Sequence, residues 1–433
     1  MISMKKTLGL CCLAAILIAL MTGCNDQLRQ FIIPIPQPGG DNSALSHAIV
    51  LSANPAPGAV GSDLHIDVAG DTVAGVVNTG PNPQIMVKSN SRLFVLNGDN
   101  TIFSYIALLP LGNTLQIITE PSGVTGAIGG GFSSTGNVYV TNRGSGNASL
   151  IAGGTSAITS LIGVGSNPVA VAGNAKNSKI YVVNNGSGTV TPISTFDNTA
   201  LPAIPVGTNP IWAVMSADGI HVFVVNQGSN NVSVIDTLLD IVIATVPVGT
   251  SPNYAVYDSK LKRVYVSNSG SANISVIDAS RIDLAAVPQS LPTNIANITV
   301  SGTPTSVAAL ADGTRVYAAL GNCPAGTNHT NIVAAVLAHS CTGNSVSVID
   351  VASLKEKKVI PIGGTGTVSI DAASNSSRVY VVSADAGSVS IIKTVTDTVT
   401  STIPAPQQSL GCVNPAACPQ NVPQVPFQVL VFP

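Results

Sequence analysis

Seven cysteines are spread along a chain of 433 residues, and position divides them by chemistry. Cys11 and Cys12 lie in an apolar leader, Cys24 ends it, and Cys323, Cys341, Cys412 and Cys418 stand far downstream. In an exported chain thiols oxidise, so the last four read as two disulfides, with the three pairings that four cysteines allow. Local pairing, Cys323 with Cys341 and Cys412 with Cys418, is the simplest; cross-pairing stays open, because both segments extend connections expected on one face. Zinc is the competing chemistry, with His329 and His339 beside the thiols. No Cys-x-x-Cys spacing accompanies them, so neither a metal nor another cofactor is expected. Asp236, Asp278 and Asp350 each follow Val-Ile and could form a carboxylate ring. Asp at a strand end more simply accepts hydrogen bonds from turn backbone, and Asn142, Asn184, Asn226 and Asn268 read the same way. Trp212 falls in an expected inner strand, where core packing is the better reading than exposure to a channel. Nucleophile elbows, zinc-protease helices, phosphate loops and calcium loops are missing from the sequence, so no catalytic residue is assigned. The glycines at 129–131 precede a strand rather than a helix and make no dinucleotide loop.

The elements that would hold these residues begin after a processing signal. Met4-Lys5-Lys6 is followed by a nearly unbroken apolar stretch from Leu8 to Met21. It is shorter than the roughly 20 residues of a membrane span but suits a signal peptide. The stretch closes on Thr22-Gly23-Cys24, which resembles the lipobox of bacterial lipoproteins, with Met21 where that family most often has Leu. The resemblance implies a signal peptide at 1–23 and a lipidated Cys24 as the first mature residue, tethered to the membrane by its acyl chains. Asn25 in place of Asp favours the outer membrane or the cell surface. Residues 24–46 include Ile33-Pro34-Ile35-Pro36-Gln37-Pro38, whose alternate prolines make an extended spacer. No later apolar run is long enough to span, so the body, 47–433, is expected to be soluble.

Only 9% of residues are charged and the formal net charge is −2, which leaves no electrostatic footprint for nucleic acid. Glu occurs twice, at Glu120 and Glu356, Lys and Arg number only 18 together and Met five, so the composition reads as that of an all-β chain. Val138-Tyr139-Val140-Thr141-Asn142 returns at 180–184, 222–226 and 264–268, a spacing of 42 residues each time. Looser copies stand at Leu93-Phe94-Val95-Leu96-Asn97, Val316-Tyr317 and Val379-Tyr380-Val381-Val382-Ser383. Four strands of about five residues and four connections of similar length fill about 40 residues, the size of one β-propeller blade. The Val-Tyr-Val-Val-Asn run is apolar on both faces, as a strand between neighbouring blades must be. The following run alternates Val232, Ser233 and Val234, which predicts a half-exposed strand. These repeats resemble the YVTN family of β-propellers, named for the motif that stands here as Tyr139-Val140-Thr141-Asn142, over residues from about 80 to 400.

The chain ends predict how the ring closes. Ala48-Ile49-Val50-Leu51 reads as a second strand, and Leu64-His65-Ile66-Asp67 through Pro81 as a third and fourth. Pro426-Phe427-Gln428-Val429-Leu430-Val431 reads as a first strand without successors. Together they make a split blade and bring the count to eight; seven is the alternative if the N-terminal strands sit outside the ring. An insertion at 321–343, bounded by Cys323 and Cys341, interrupts one blade between its second and third strands, and 331–338 within it reads as a short helix. The expected function is a cell-envelope lipoprotein that displays the propeller as a binding or structural module. Its partner would be an envelope or extracellular protein or a glycan, with the insertion as the best functional loop. The alternative is a propeller hydrolase similar to sugar lactonases, which hold a metal or a set of His, Arg and Glu at the channel mouth.

Overall fold

The computed structural model describes residues 47–432 apart from 56–58, 90–91, 107–115, 153–156, 286–288 and 409–421. Cys24, Cys412, Cys418, the signal and the spacer lie outside these residues. Eight antiparallel sheets of four strands each form a ring. Seven are continuous in sequence and are numbered blades 1 to 7 here: 83–119, 127–163, 168–205, 210–247, 252–299, 304–361 and 367–404. In each, the first strand is innermost and the fourth outermost.

The eighth blade is split. Val425–Phe432 is its innermost strand, followed outward by His47–Ala53, Val60–Asp67 and Thr72–Pro81. Val50 faces Val429 and His47 faces Phe432 across the seam. The expected pairing of the two ends therefore holds, and the blade count is eight rather than seven. Closure of this kind leaves only short, protected edges at the centre and rim of the ring.

The β-branched second strands form where they do because both of their faces are covered. Val138–Asn142 is buried throughout, and Lys179–Asn184, His221–Asn226 and Arg263–Asn268 are buried beyond their first residue. Core packing lies between blades: one cluster joins Ile128 of blade 2 to Tyr181 of blade 3 and Val222 of blade 4. The third strands differ from expectation. Asn231–Asp236 is buried beyond its first residue, Ser233 included, because Asn226 Nδ2 donates to Ser233 Oγ at 2.9 Å. Alternating exposure belongs to the fourth strands, as in Thr293–Thr299.

Every blade sends its second-to-third turn and its connection to the next blade to one face, called the upper face here. The first-to-second and third-to-fourth turns lie on the lower face. The described chain therefore enters at His47 on the lower face, and the insertion in blade 6 rises from the upper one.

Candidate functional site: a capped axial cavity

In all seven continuous blades the pairing of the first two strands shifts register after the first residue of the inner strand. Pro210 faces Asn226, for example, whereas Trp212 faces Val225. Such bulges re-aim the side chain that follows. At this position stand Trp212 and Tyr254 in blades 4 and 5, and Gly129, Ala170, Ser306 and Ser369 in blades 2, 3, 6 and 7. Ile85 holds the position in blade 1, so the wall around the axis is aromatic in blades 4 and 5, aliphatic in blade 1 and small or hydroxylated in the other continuous blades. With Gln428 of the split blade these residues line a cavity of about 290 Å³.

Trp212 packs against the cores on both sides of blade 4, as expected, and also lines the cavity. Half-buried, Trp212 lies 4.8 Å from the Tyr254 ring and donates through Nε1 to Ala255 O at 3.1 Å. Ser306 and Ser369 hydrogen-bond the neighbouring inner strands, Ser306 Oγ to Val368 O and Val429 N to Ser369 Oγ, at 3.3 and 3.1 Å. Met86 N donates to Gln428 Oε1 at 2.7 Å.

The insertion caps this cavity from above. Cys323 and Cys341 form the locally paired disulfide, and Ile332–Leu337 is the short helix expected between them. Val333 and Val336 are buried in a cluster with Phe427 and Val368. Asn328 Nδ2 donates to Gln227 Oε1 at 3.1 Å in blade 4, and Asn253 Nδ2 of blade 5 donates to Thr327 O at 3.3 Å. His339 Nδ1 reaches Asp385 of blade 7 at 2.5 Å on the exposed surface.

His329 descends furthest. Its ring centre lies 4.9 Å from that of Trp212, edge to face, and Nε2 donates to Val169 O at 2.9 Å. Enclosure of the ring pulls its pKa down to about 4, the Val169 carbonyl opposing, so the imidazole is neutral near pH 7. The proton on Nε2 leaves Nδ1 an acceptor, and that buried atom has no hydrogen-bond partner. His329 and His339 therefore serve the cap rather than zinc, since both neighbouring thiols are in the disulfide. Among the described residues no group of three or more His, Cys, Asp or Glu is placed to hold a metal.

Toward the lower end the cavity gains Asp371 and Lys88. Asp371 accepts from Val431 N at 2.8 Å and from Ala372 N at 2.9 Å. Burial raises its pKa, against the charge of Lys88 and these N–H groups. Lys88 Nζ donates to Val431 O at 3.0 Å. Both residues escaped notice in the sequence, although Asp371 stands where the first strands of the other continuous blades carry Val, Ala or Gly, which was a usable signal.

The repeated polar residues belong to the fold, the aspartates through turn backbone as expected and the asparagines through side chains of the third strand instead. Asp236 Oδ1 accepts from Leu238 N and Leu239 N at 2.9 Å, and Asp278 and Asp350 accept from Ser280 N and Ser353 N. Asn142, Asn184 and Asn268 donate into third-strand side chains as Asn226 does.

Fold and cavity together define an eight-bladed propeller with a capped axial chamber. No protein-family model and no curated protein matches the sequence. Among solved structures, dihydro-heme d1 dehydrogenase NirN in complex with DHE aligns with a TM-score of 0.67 at 12% identity, covering 92% of this chain and 77% of that one. Apo AztD from Citrobacter koseri aligns with a TM-score of 0.60 at 10% identity, covering 90% of this chain and 98% of that one. At these identities the likeness is one of fold.

Proposed function

We propose that the protein is an exported, lipid-anchored binding module of the bacterial cell envelope, built on YVTN-type repeats. It holds a small uncharged envelope component, a terminal sugar or short glycan, in its axial cavity. The polarised, capped cavity carries the reading. Trp212 and Tyr254 offer an aromatic wall, while Ser306, Ser369, Gln428 and the unpartnered Nδ1 of His329 offer hydrogen-bonding groups. Its volume of about 290 Å³ is roughly twice that of an engineered cavity that takes benzene, about 150 Å³. Apart from buried Glu120 and the cap imidazoles His329 and His339, only Asp99, Arg143 and Asp385 bring acidic or basic groups to the upper-face turns among the described residues, which suits a neutral ligand. Thr22-Gly23-Cys24 after its apolar stretch supports the anchor, and Tyr139-Val140-Thr141-Asn142 with its copies supports the repeat family. A propeller hydrolase would gather imidazole and carboxylate at one end, whereas His329 hangs from the cap and Asp371 stands toward the lower face.

Trp212 is the only tryptophan in the chain, so its emission reads the cavity directly. Titration of the intact protein with neutral mono- and oligosaccharides should give a saturable change for a subset, weakened by Tyr254→Ala. Emission that no sugar alters would refute the ligand class. Metabolic labelling with a fatty-acid analogue tests the anchor, and an unlabelled Cys24 would remove it.

A further inference from the structure

The lower face carries a second interaction surface that the cavity does not explain. Between the third and fourth strands, blades 3, 4 and 7 turn through Thr195-Phe196-Asp197-Asn198, Thr237-Leu238-Leu239-Asp240 and Thr394-Val395-Thr396-Asp397. The first residue of each turn is fixed, with Thr195, Thr237 and Thr394 hydroxyls donating to Ser178 O, Gly219 O and Ser376 O. The last residue faces back into the molecule, where Asn198, Asp240 and Asp397 accept from tyrosine hydroxyls of the preceding blades. The second residue points outward. It is Phe196, Leu238 or Val395, which are 94%, 84% and 79% exposed.

The fold does not require large apolar groups there. The same position is Ala352 in blade 6 and Ala69 in the split blade. Leu239, Ile220 and Ile241 extend the exposed apolar surface beside Leu238, whereas no upper-face turn exposes a large apolar side chain among the described residues. Equivalent turns of a closed ring stand at one height, so the three tips define a plane. The chain enters the propeller at His47 on this same face, and Cys24 precedes His47 by 23 residues.

We infer that the lower face rests on the lipid bilayer, with Phe196, Leu238 and Val395 dipping into its headgroup boundary. The inference depends on the lipid anchor at Cys24. A spacer of this length reaches at most about 80 Å and permits many orientations, so the apolar tips, not the tether, choose this one. Shallow burial of aromatic and aliphatic side chains at the interface is favourable in proportion to the apolar area removed from water. Asp197 limits the depth; hydrogen bonds from the Ser194 side chain and then from Thr199 lower its pKa, so it stays ionised beside Phe196. The upper face and its cap then point away from the membrane, toward whatever the cavity binds.

The test uses mature lipoprotein purified from membranes and reconstituted in phospholipid vesicles. Phe196→Trp and Leu238→Trp place reporters on the lower face, and Thr208→Trp places a control in an exposed upper-face turn; unaltered Trp212 gives the common background. All three variants should float with the vesicles. The lower-face reporters should shift to the blue and lose most of their emission to a nitroxide high on the acyl chain, while the control does not. Flotation with equal quenching at all three positions overturns the docking and leaves the anchor standing. Failure to float removes the anchor, and the docking falls with it. Quenching-free protein whose lower-face reporters instead shift with protein concentration would mark a contact between copies and overturn the lipid assignment.

Discussion

The repeated tyrosine acts as a latch between blades. Tyr139 OH donates to Asn198 Oδ1 at 2.6 Å, Tyr181 to Asp240 Oδ1 at 2.8 Å, and Tyr317 to Asp397 Oδ1 at 2.6 Å. Each acceptor sits in the next blade at a left-handed turn position, with φ of 57°, 55° and 50°. Asn and Asp tolerate that conformation and also provide the oxygen, which explains their recurrence. Not every blade closes the latch: Asp71, at φ 51° in the split blade, takes Arg378 Nε at 2.9 Å and no hydrogen bond from Tyr380. Blade 4 carries Phe223, and the next blade replaces the short turn with the longer connection 279–292; the Phe223 ring stacks instead on Tyr257 at 6.0 Å. Blade 5 keeps Tyr265, but Leu354 holds the acceptor position at φ 52°, so the Tyr265 hydroxyl lacks a latch acceptor and the Arg263 guanidinium stands near it. Tyr181→Phe should therefore cost about 1.5 kcal/mol, as for a hydrogen bond to a charged group, and Tyr265→Phe nothing. Leu354→Asn should stabilise by about 1 kcal/mol through the new hydrogen bond and relief at positive φ. Urea unfolding midpoints measure all three, and equal losses for the two tyrosines would refute the latch.

At the scale of elements, the cap is the part that distinguishes this ring from its own repeat. Its cysteines, its helix and its place between the second and third strands of blade 6 were legible, because sequence spacing records what interrupts a period. Its destination was not. Asn328 meets Gln227 across 101 residues and His329 meets Val169 across 160, contacts that depend on how far the loop reaches over the axis. The bulge that re-aims Trp212 was hidden for a related reason: it resides in a pairing register, and no single strand encodes one. Ser233 likewise mimics a solvent-facing residue, since a hydroxyl that receives the Asn226 amide looks the same in sequence as one that meets water. Breaking the disulfide by Cys323→Ser with Cys341→Ser removes a closure over 18 residues, worth about 3 kcal/mol when the loop is constrained. The loop should become cleavable by protease within 324–340, and Trp212 emission should move to the red as His329 lifts from the indole. Unchanged emission after complete reduction would show that packing of Val333 and Val336 alone holds the cap.

The whole molecule depends on one seam, because seven continuous blades cannot close without the split one. Pairing of Val425–Phe432 with His47–Ala53 supplies it, and Ser62 Oγ donates to Gln424 Oε1 beside it. The seam also contains an acid-sensitive group. His65 is fully buried one strand outward, paired with Ile49, its ring 6.4 Å from that of His47, and Asp63 is buried in the same strand. Burial, and secondarily His47, pulls the His65 pKa from 6.5 down to about 3. The unfolded chain therefore binds a proton below about pH 6.5 that the closed ring refuses. The stability associated with neutral His65 is complete above that pH and is lost progressively as pH falls toward about 3. His329 in the cap behaves in the same direction, with loss toward about pH 4. Acid should thus loosen seam and cap together, and two variants separate them. His65→Gln should flatten the decline of the urea midpoint between pH 7 and pH 4.5 while leaving the acid change in Trp212 emission intact. His329→Gln should abolish that emission change and leave most of the decline in place. A urea midpoint that falls as steeply in His65→Gln as in the parent would place the acid-sensitive group outside the seam.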